Sequence, residues 1–247
     1  MFPIIPLVRT LFRLILFTSA IAFVASQCAA QTQNSDTPFQ FWPRLNVSFE
    51  LTARARITGI VEKHNGEDDF YKQEKVGAAF SHRWKRIGRQ RKGENDKENE
   101  FTLVSGSDYY FIRTDQNGST KHEHRIALQA TPKYIIGPEI LLQDRNQIEF
   151  RWINGVYDFR YRNKLTVDRP FKIQKVHFTP YASGELFWDR NNHSWNENQY
   201  AFGVRLPYKK TWMLDLFYLH QNCTTCSLDP VNVFGTTLNL YFDWLKH

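Results

Sequence analysis

At 247 residues, 42% hydrophobic and 23% charged, with a net charge of +7, the chain has the composition of a folded protein and not of a disordered one. A mean hydropathy of −0.52 excludes a bundle of membrane helices, each of which needs an apolar run of about 20 residues. Aromatic residues reach 15%, with 20 Phe and 11 Tyr against 2 Met, and this profile suits strands better than helices.

Arg9 and Arg13 are the only charges in the first 30 residues. An apolar stretch of 12, Leu14 to Ala25, follows them, and Cys28-Ala29-Ala30 stands before Gln31. A basic start, a short apolar middle and small residues at the end describe a secretory signal peptide, cleaved after residue 30. The apolar run is too short to cross about 30 Å of hydrocarbon as a helix. Lipoprotein processing at Cys28 is the less fitting alternative, because Gln27 stands where a small residue is needed. The expected organisation is a signal at 1–30, a short N-terminal segment at 31–43 and a barrel domain over 44–247. Of the three cysteines, Cys223 and Cys226 remain after cleavage, and in an exported chain Cys-Thr-Thr-Cys reads as a local disulfide. The modest positive charge fits anionic lipid surfaces, and nucleic acid is not expected as a partner of an exported protein.

From Leu45 to Ile57 the odd positions are all apolar and the even positions all polar, thirteen residues without an exception. The reading is one long strand. Period-two alternation recurs through 75–85, 125–131, 147–152, 157–167, 199–206, 212–221 and 233–242, and less cleanly through 101–113 and 176–188. Turns are expected at Gln116-Asn-Gly118, Asn154-Gly155 and Pro207–Lys210. About ten strands result, in a range of roughly eight to twelve, with no convincing helical period in the mature chain.

Two all-β architectures compete. In a soluble sandwich the apolar faces pack against each other, and in a membrane barrel they face lipid while the polar faces line a lumen. The length of the strands, the aromatics near their ends (Trp84, Trp152, Tyr157, Trp188, Trp212, Tyr218) and the Arg- and Glu-rich polar faces favour the barrel. The expected fold is a single antiparallel up-and-down transmembrane β-barrel in a Gram-negative outer membrane, closed by pairing the Leu45–Ile57 strand with the last strand.

The stretches Asp144-Arg-Asn-Gln-Ile-Glu-Phe-Arg-Trp152 and Phe159-Arg-Tyr-Arg-Asn-Lys-Leu165, with Pro180–Phe187 and Leu216–Gln221 as later landmarks, resemble an uncharacterised family known as domain of unknown function 2490. The resemblance covers about 44 to 242. It implies an outer-membrane-type β-barrel of unestablished activity, with no catalytic residues to carry over. The last strand, Gly235–Phe242, also looks like the terminal signal read by the barrel-assembly machinery, although the chain continues to His247.

The inward-facing set Glu50, Arg54, Arg56, Arg83, Arg125, Glu149, Arg151, Asp158, Arg160, Arg162, Glu185, Arg205 and Asp215 is the richest chemical feature. It could line an anion-selective passage or form a salt-bridge ladder that fills a narrow lumen. The loop 189–197 holds Asp189, His193, Ser194 and Glu197, enough residue types for a Ser/His/acid hydrolase at the outer rim. The scattered histidines, with His122 and His124 on one strand face, lack a third metal ligand, and no metal or cofactor is expected. Three functions follow in order: a structural, envelope-interaction or narrow-passage barrel without catalysis, a rim hydrolase acting on lipid or peptide, and a soluble exported β-sandwich that binds a ligand. With both termini on one side, a ten-strand count puts the basic and acidic stretch 85–100 opposite the loops at 62–70, 114–121, 189–197 and 223–226.

Overall fold

The structure is a computed structural model and describes residues 37–66, 71–84, 101–136, 139–174, 176–209, 211–225 and 230–243. The expected signal peptide, the 85–100 stretch and Cys226 lie outside the described residues.

Twelve strands follow one another: β1 Phe39–Glu50, β2 Ala55–Gly66, β3 Tyr71–Arg83, β4 Phe101–Gln116, β5 Ser119–Ile136, β6 Ile140–Ile153, β7 Val156–Asp168, β8 Phe171–Ile173, β9 Val176–Asp189, β10 Ser194–Tyr208, β11 Trp212–Cys223 and β12 Val231–Asp243. Eleven of them close into a barrel, each pairing with its neighbour in sequence except that β7 pairs with β9. The three-residue β8 folds back on the start of β9 alone, as a small hairpin outside the ring. Soluble-domain strands are usually about 5–6 residues long, whereas these eleven run from 12 to 18.

The barrel closes in parallel. Phe39 to Glu50 of β1 run alongside Asn232 to Asp243 of β12 in unbroken register. Closure between first and last strand matches the sequence reading, and eleven strands fall within its range of eight to twelve, but the ring is odd and its seam parallel where an even, wholly antiparallel ring was expected. The correction is local to one segment. The run Leu45–Ile57 is not a single strand but the β1–β2 hairpin, which reverses at residues 51–54 and pairs Phe49 with Ile57 and Glu50 with Arg56. Leu51 and Thr52 donate their backbone N–H groups to Ala55 O at 2.9 and 3.2 Å, and Thr52 Oγ1 accepts from Ala55 N at 2.9 Å. The added strand makes the ring odd, and in an odd ring of sequential hairpins the two end strands must run the same way.

Parity also sorts the connections into two rims. The start of β1 shares the N-rim with the β2–β3, β4–β5, β6–β7, β9–β10 and β11–β12 connections. The end of β12 shares the C-rim with the 51–54 turn, the β3–β4, β5–β6 and β10–β11 connections and the β8 hairpin. The expected grouping of the 62–70, 114–121, 189–197 and 223–226 regions at one end therefore holds, but the two barrel ends of the chain emerge at opposite rims. Several regions read as loops are strand: β2 runs on to Gly66, β4 to Gln116, and β10 starts at Ser194 and carries Pro207 within it. The barrel also starts at Phe39, ahead of the boundary at 44.

Turn chemistry is as the sequence suggests at two hairpins. Asn117 and Gly118 have φ of 50° and 74°, and Asn154 and Gly155 have 49° and 84°. Both central residues thus sit in the left-handed region that a tight antiparallel hairpin needs, which Asn-Gly supplies at little cost.

The apolar faces point outward and are not packed between two layers, so the sandwich alternative is overturned. Aliphatic side chains such as Val61, Val76, Ile126, Leu128, Ile148 and Leu186 are exposed around the middle of the barrel. Exposed aromatics stand near both ends, Phe39, Tyr157 and Trp195 at the N-rim and Phe49, Trp84, Tyr208 and Phe242 at the C-rim, with others such as Tyr109 and Phe202 nearer the middle. What is buried is mostly polar, with acids prominent. Glu149 is 0% exposed, Glu185 2%, and Asp168 and Asp189 4% each. Two small apolar clusters, Ala201–Leu219–Val231–Val233 and Ile60–Tyr110–Ile112, complete the inner wall.

The candidate functional site: a charged lumen

Alternation puts every second residue of each strand inside the ring, so a sequence with Arg, Lys, Asp and Glu at those positions concentrates charge in a space shielded from solvent. Neighbouring strands then bring opposite charges into register. Glu149 of β6 pairs with Ala127 of β5 and Arg160 of β7 in the ladder, and its carboxylate Oε1 accepts from Arg162 Nη1 at 2.8 Å and Arg125 Nη1 at 3.3 Å. Arg162 also reaches Glu185 of β9 at 2.8 Å, and its guanidinium lies 4.6 Å over the Phe187 ring. Arg145 and Lys164 approach the same Glu185 at 2.8 and 3.6 Å.

Toward the N-rim the pairs become two-pronged. Arg151 clasps Glu123 through Nε at 2.9 Å and Nη2 at 3.0 Å, and Arg125 joins that carboxylate at 2.7 Å. Arg160 clasps Asp189 at 2.8 and 2.9 Å and reaches Glu197 at 3.3 Å. Such fork-to-carboxylate contacts fix geometry as well as charge. Asp158 stands 3.5 Å from Arg151. On the opposite wall Glu62 gathers His64 at 2.5 Å, Lys75 at 2.9 Å and Arg44 at 3.4 Å, with the His64 ring stacked 3.9 Å from Trp42.

The C-rim half is different. Arg205 bonds Asp168 at 2.9 Å and stands 3.8 Å from Asp215, while Arg56 pairs with Glu50 at 2.5 Å. Arg54 lies in the exposed 51–54 turn, and Arg83 is exposed at the end of β3. All thirteen residues of the inward set are therefore placed on the lumen wall or at its C-rim mouth. The inward set read from the sequence left out Arg44, Glu62, His64 and Lys75, which form the cluster on the opposite wall, and Glu123, Arg145, Lys164 and Asp168, which pair with members of the set or their partners.

The four residues considered for a hydrolase do not come together. Asp189 and Glu197 face inward and are held by Arg160, and Asp189 also accepts from Asn196 at 2.9 Å. His193 sits in the exposed β9–β10 turn with φ of 48° and its ring against Trp188, and Ser194 is exposed at the start of β10. Among the described residues, neither the Ser194 hydroxyl nor the His193 ring hydrogen-bonds the other or either acid. Asn196 and Glu197 both face inward because the β9–β10 register shifts between Trp195 and Glu197, a bulge that alternation alone does not show. Cys223 is buried at the end of β11.

The lumen holds open space on both sides of its central charges. A cavity of about 400 Å³ opens toward the N-rim and one of about 270 Å³ lies deeper, and Trp42, Lys75, Arg125, Arg162 and Gln199 line both.

A closed ring of long strands, apolar outside and ionic within, defines the class: a β-barrel with a charged, narrow lumen. Over residues 39–229 the chain matches the family described as protein of unknown function (DUF2490), and it belongs to that family. No curated protein matches it.

Proposed function

We propose that this protein is exported through a cleaved signal at 1–30, inserted by the barrel-assembly machinery and resident in the Gram-negative outer membrane, where it acts structurally or in envelope interaction without catalysis. The observation that carries the reading is the reversed polarity of the barrel. An apolar belt with aromatic ends is stable against acyl chains and interfaces, and costly against water. Closure leaves no unpaired strand edge in the ring, as a lipid environment requires. The ion pairs inside occupy the lumen of a narrow ring and hold its walls together. Cys223 and Cys226 are assigned to a local disulfide at the N-rim, in keeping with an oxidising compartment.

Cell fractionation tests the location. The protein should stay with the membrane pellet after an alkaline carbonate wash, dissolve in detergent and run faster on gels before boiling than after it. Release by the wash would end the membrane reading.

A second reading, narrow passage of small anions, is favoured by the two cavities that meet at Lys75, Arg125 and Arg162. Conductance in planar bilayers separates the two. A filled lumen gives a silent bilayer, and steady single-channel steps with anion preference would establish the passage instead.

A further inference from the structure

Buried charges are tolerable when each has a partner, so a cation that faces a cavity without one marks a place where a ligand supplies the missing charge. The two halves of the lumen differ in this respect. Toward the N-rim, Arg125, Arg151, Arg160 and Lys75 each reach at least one carboxylate. Toward the C-rim the acids run short among the described residues, and Glu50, which lines the outer cavity, is bonded to Arg56 at 2.5 Å. Lys133 of β5, half-buried and inward-facing, makes no ion pair or hydrogen bond among the described residues. Arg83, Arg205 and Arg56 all lie within electrostatic range of it, and the acid among these neighbours, Asp168, is already bonded to Arg205 at 2.9 Å and Gln143 at 2.8 Å. Arg83 likewise lacks an acidic partner among the described residues.

These cations border open space. Lys133 and Val104 line two adjoining cavities of about 240 and 290 Å³, one reaching inward to Arg145 and Arg205 and the other outward to Arg54 and Arg83. Hydroxyl groups of Thr52, Ser81, Thr131 and Thr166 line the same walls. A second observation is independent of net charge: Arg145 Nε is a buried donor with no hydrogen-bond partner, on the wall of the inner cavity. Arg145 Nη2 is bonded to Glu185, while Nε is buried without a partner.

From this geometry we propose that the C-rim mouth of the barrel is a binding site for a phosphate-class oxyanion, held by Lys133 and Arg83 with Arg145 at its inner end. Guanidinium forks and an ammonium match the several oxygens of a tetrahedral anion, and hydroxyls around them complete its hydrogen bonds. The cavities suit more than one phosphate unit, so pyrophosphate fits better than a single halide. The proposal goes beyond the barrel's placement in a membrane and does not depend on it, because the site lies inside the ring.

The test uses the purified full chain, in detergent if its extraction needs it, with folding checked by the boiled-versus-unboiled mobility. Titration with inorganic pyrophosphate, followed by calorimetry, should show saturable binding. A Lys133→Gln/Arg83→Gln double variant should bind at least about tenfold more weakly, the loss expected when charged hydrogen bonds go. Lys121→Gln at the N-rim should bind like the unaltered chain. Competition by phosphatidylglycerol micelles, but not phosphatidylcholine micelles, would make a lipid headgroup the occupant. Failure of both to compete would make it a soluble anion. Folded protein that takes up no pyrophosphate, or a folded double variant that binds it as tightly as the unaltered chain, would overturn the proposal. A protein that proves soluble would sink the membrane reading and leave this measurement intact.

Discussion

Arg162 reaches two carboxylates from neighbouring strands, Glu149 and Glu185, at 2.8 Å each, and both acids are almost fully buried. Replacing it with Met keeps the bulk and removes the charge. Glu149 would retain Arg125 at 3.3 Å, and Glu185 would retain Arg145 and Lys164, but the tie between the two acids would be lost. Breaking a buried pair from one side costs about 3–5 kcal/mol, so Arg162→Met should lower unfolding stability in urea by an amount of that order. Arg56→Met breaks an ion pair whose partners are about a third exposed, and there the loss should stay within about 1 kcal/mol. Equal losses in the two variants would show that burial does not govern these pairs. Several of the inward residues missed by sequence reading sit in largely polar stretches. Glu62 and His64 sit in Glu-Lys-His-Asn, Glu123 between His122 and His124, and Arg145 in Gln-Asp-Arg-Asn-Gln. Alternation identifies the inner face only where the outer face is apolar, and near a rim the outer face turns polar as well.

At the scale of the element, the β1–β2 hairpin shows how a correct periodicity gave a wrong strand. Its paired positions, such as Phe49 with Ile57, have equal parity, so the odd residues face outward on both sides of the turn and the alternation passes straight through. The turn residues Leu-Thr-Ala-Arg contain no Gly, Pro, Asn or Asp to mark the reversal. By contrast the Asn-Gly turns at 117–118 and 154–155 were legible from chemistry alone. Parallel closure can be tested with two cysteine pairs on the outer face. Leu45 pairs with Leu238 and Val47 with Leu240, so Leu45→Cys/Leu238→Cys and Val47→Cys/Leu240→Cys should both cross-link on mild oxidation. In an antiparallel seam aligned at the first pair, the second pair would be too far apart to join. The seam has a second sensitive point. A side chain at Gly235 of β12 would run into the ring of Phe217, which covers that glycine from β11 inside the barrel. Gly235→Val should displace Phe217 and destabilise the fold by about 1–3 kcal/mol, readable as a lower temperature for the loss of heat-modifiable mobility.

For the whole molecule, the odd ring sets which connections share a side. Ala53 lies in the C-rim turn and Asn191 in an N-rim turn, both exposed. If the barrel crosses the outer membrane, an impermeant thiol reagent on intact cells should modify only one of Ala53→Cys and Asn191→Cys, and both after lysis. Labelling of both in intact cells would be incompatible with a spanning barrel. The class of fold and the polarity of its faces were legible because every strand must satisfy its backbone in the ring while sorting its side chains between two environments. The parity of the ring was not, since it depended on one turn without a chemical mark.

The account rests most heavily on which environment each face meets, and a nitroxide scan along β5 measures that directly. Labels at Ile126 and Leu128 point outward, and labels at Ala127 and Gln129 point into the lumen. In lipid vesicles, relaxation by oxygen, which concentrates in acyl chains, should be strong at 126 and 128 and weak at 127 and 129. A water-soluble nickel chelate that relaxes 126 and 128 as strongly as oxygen does would contradict it.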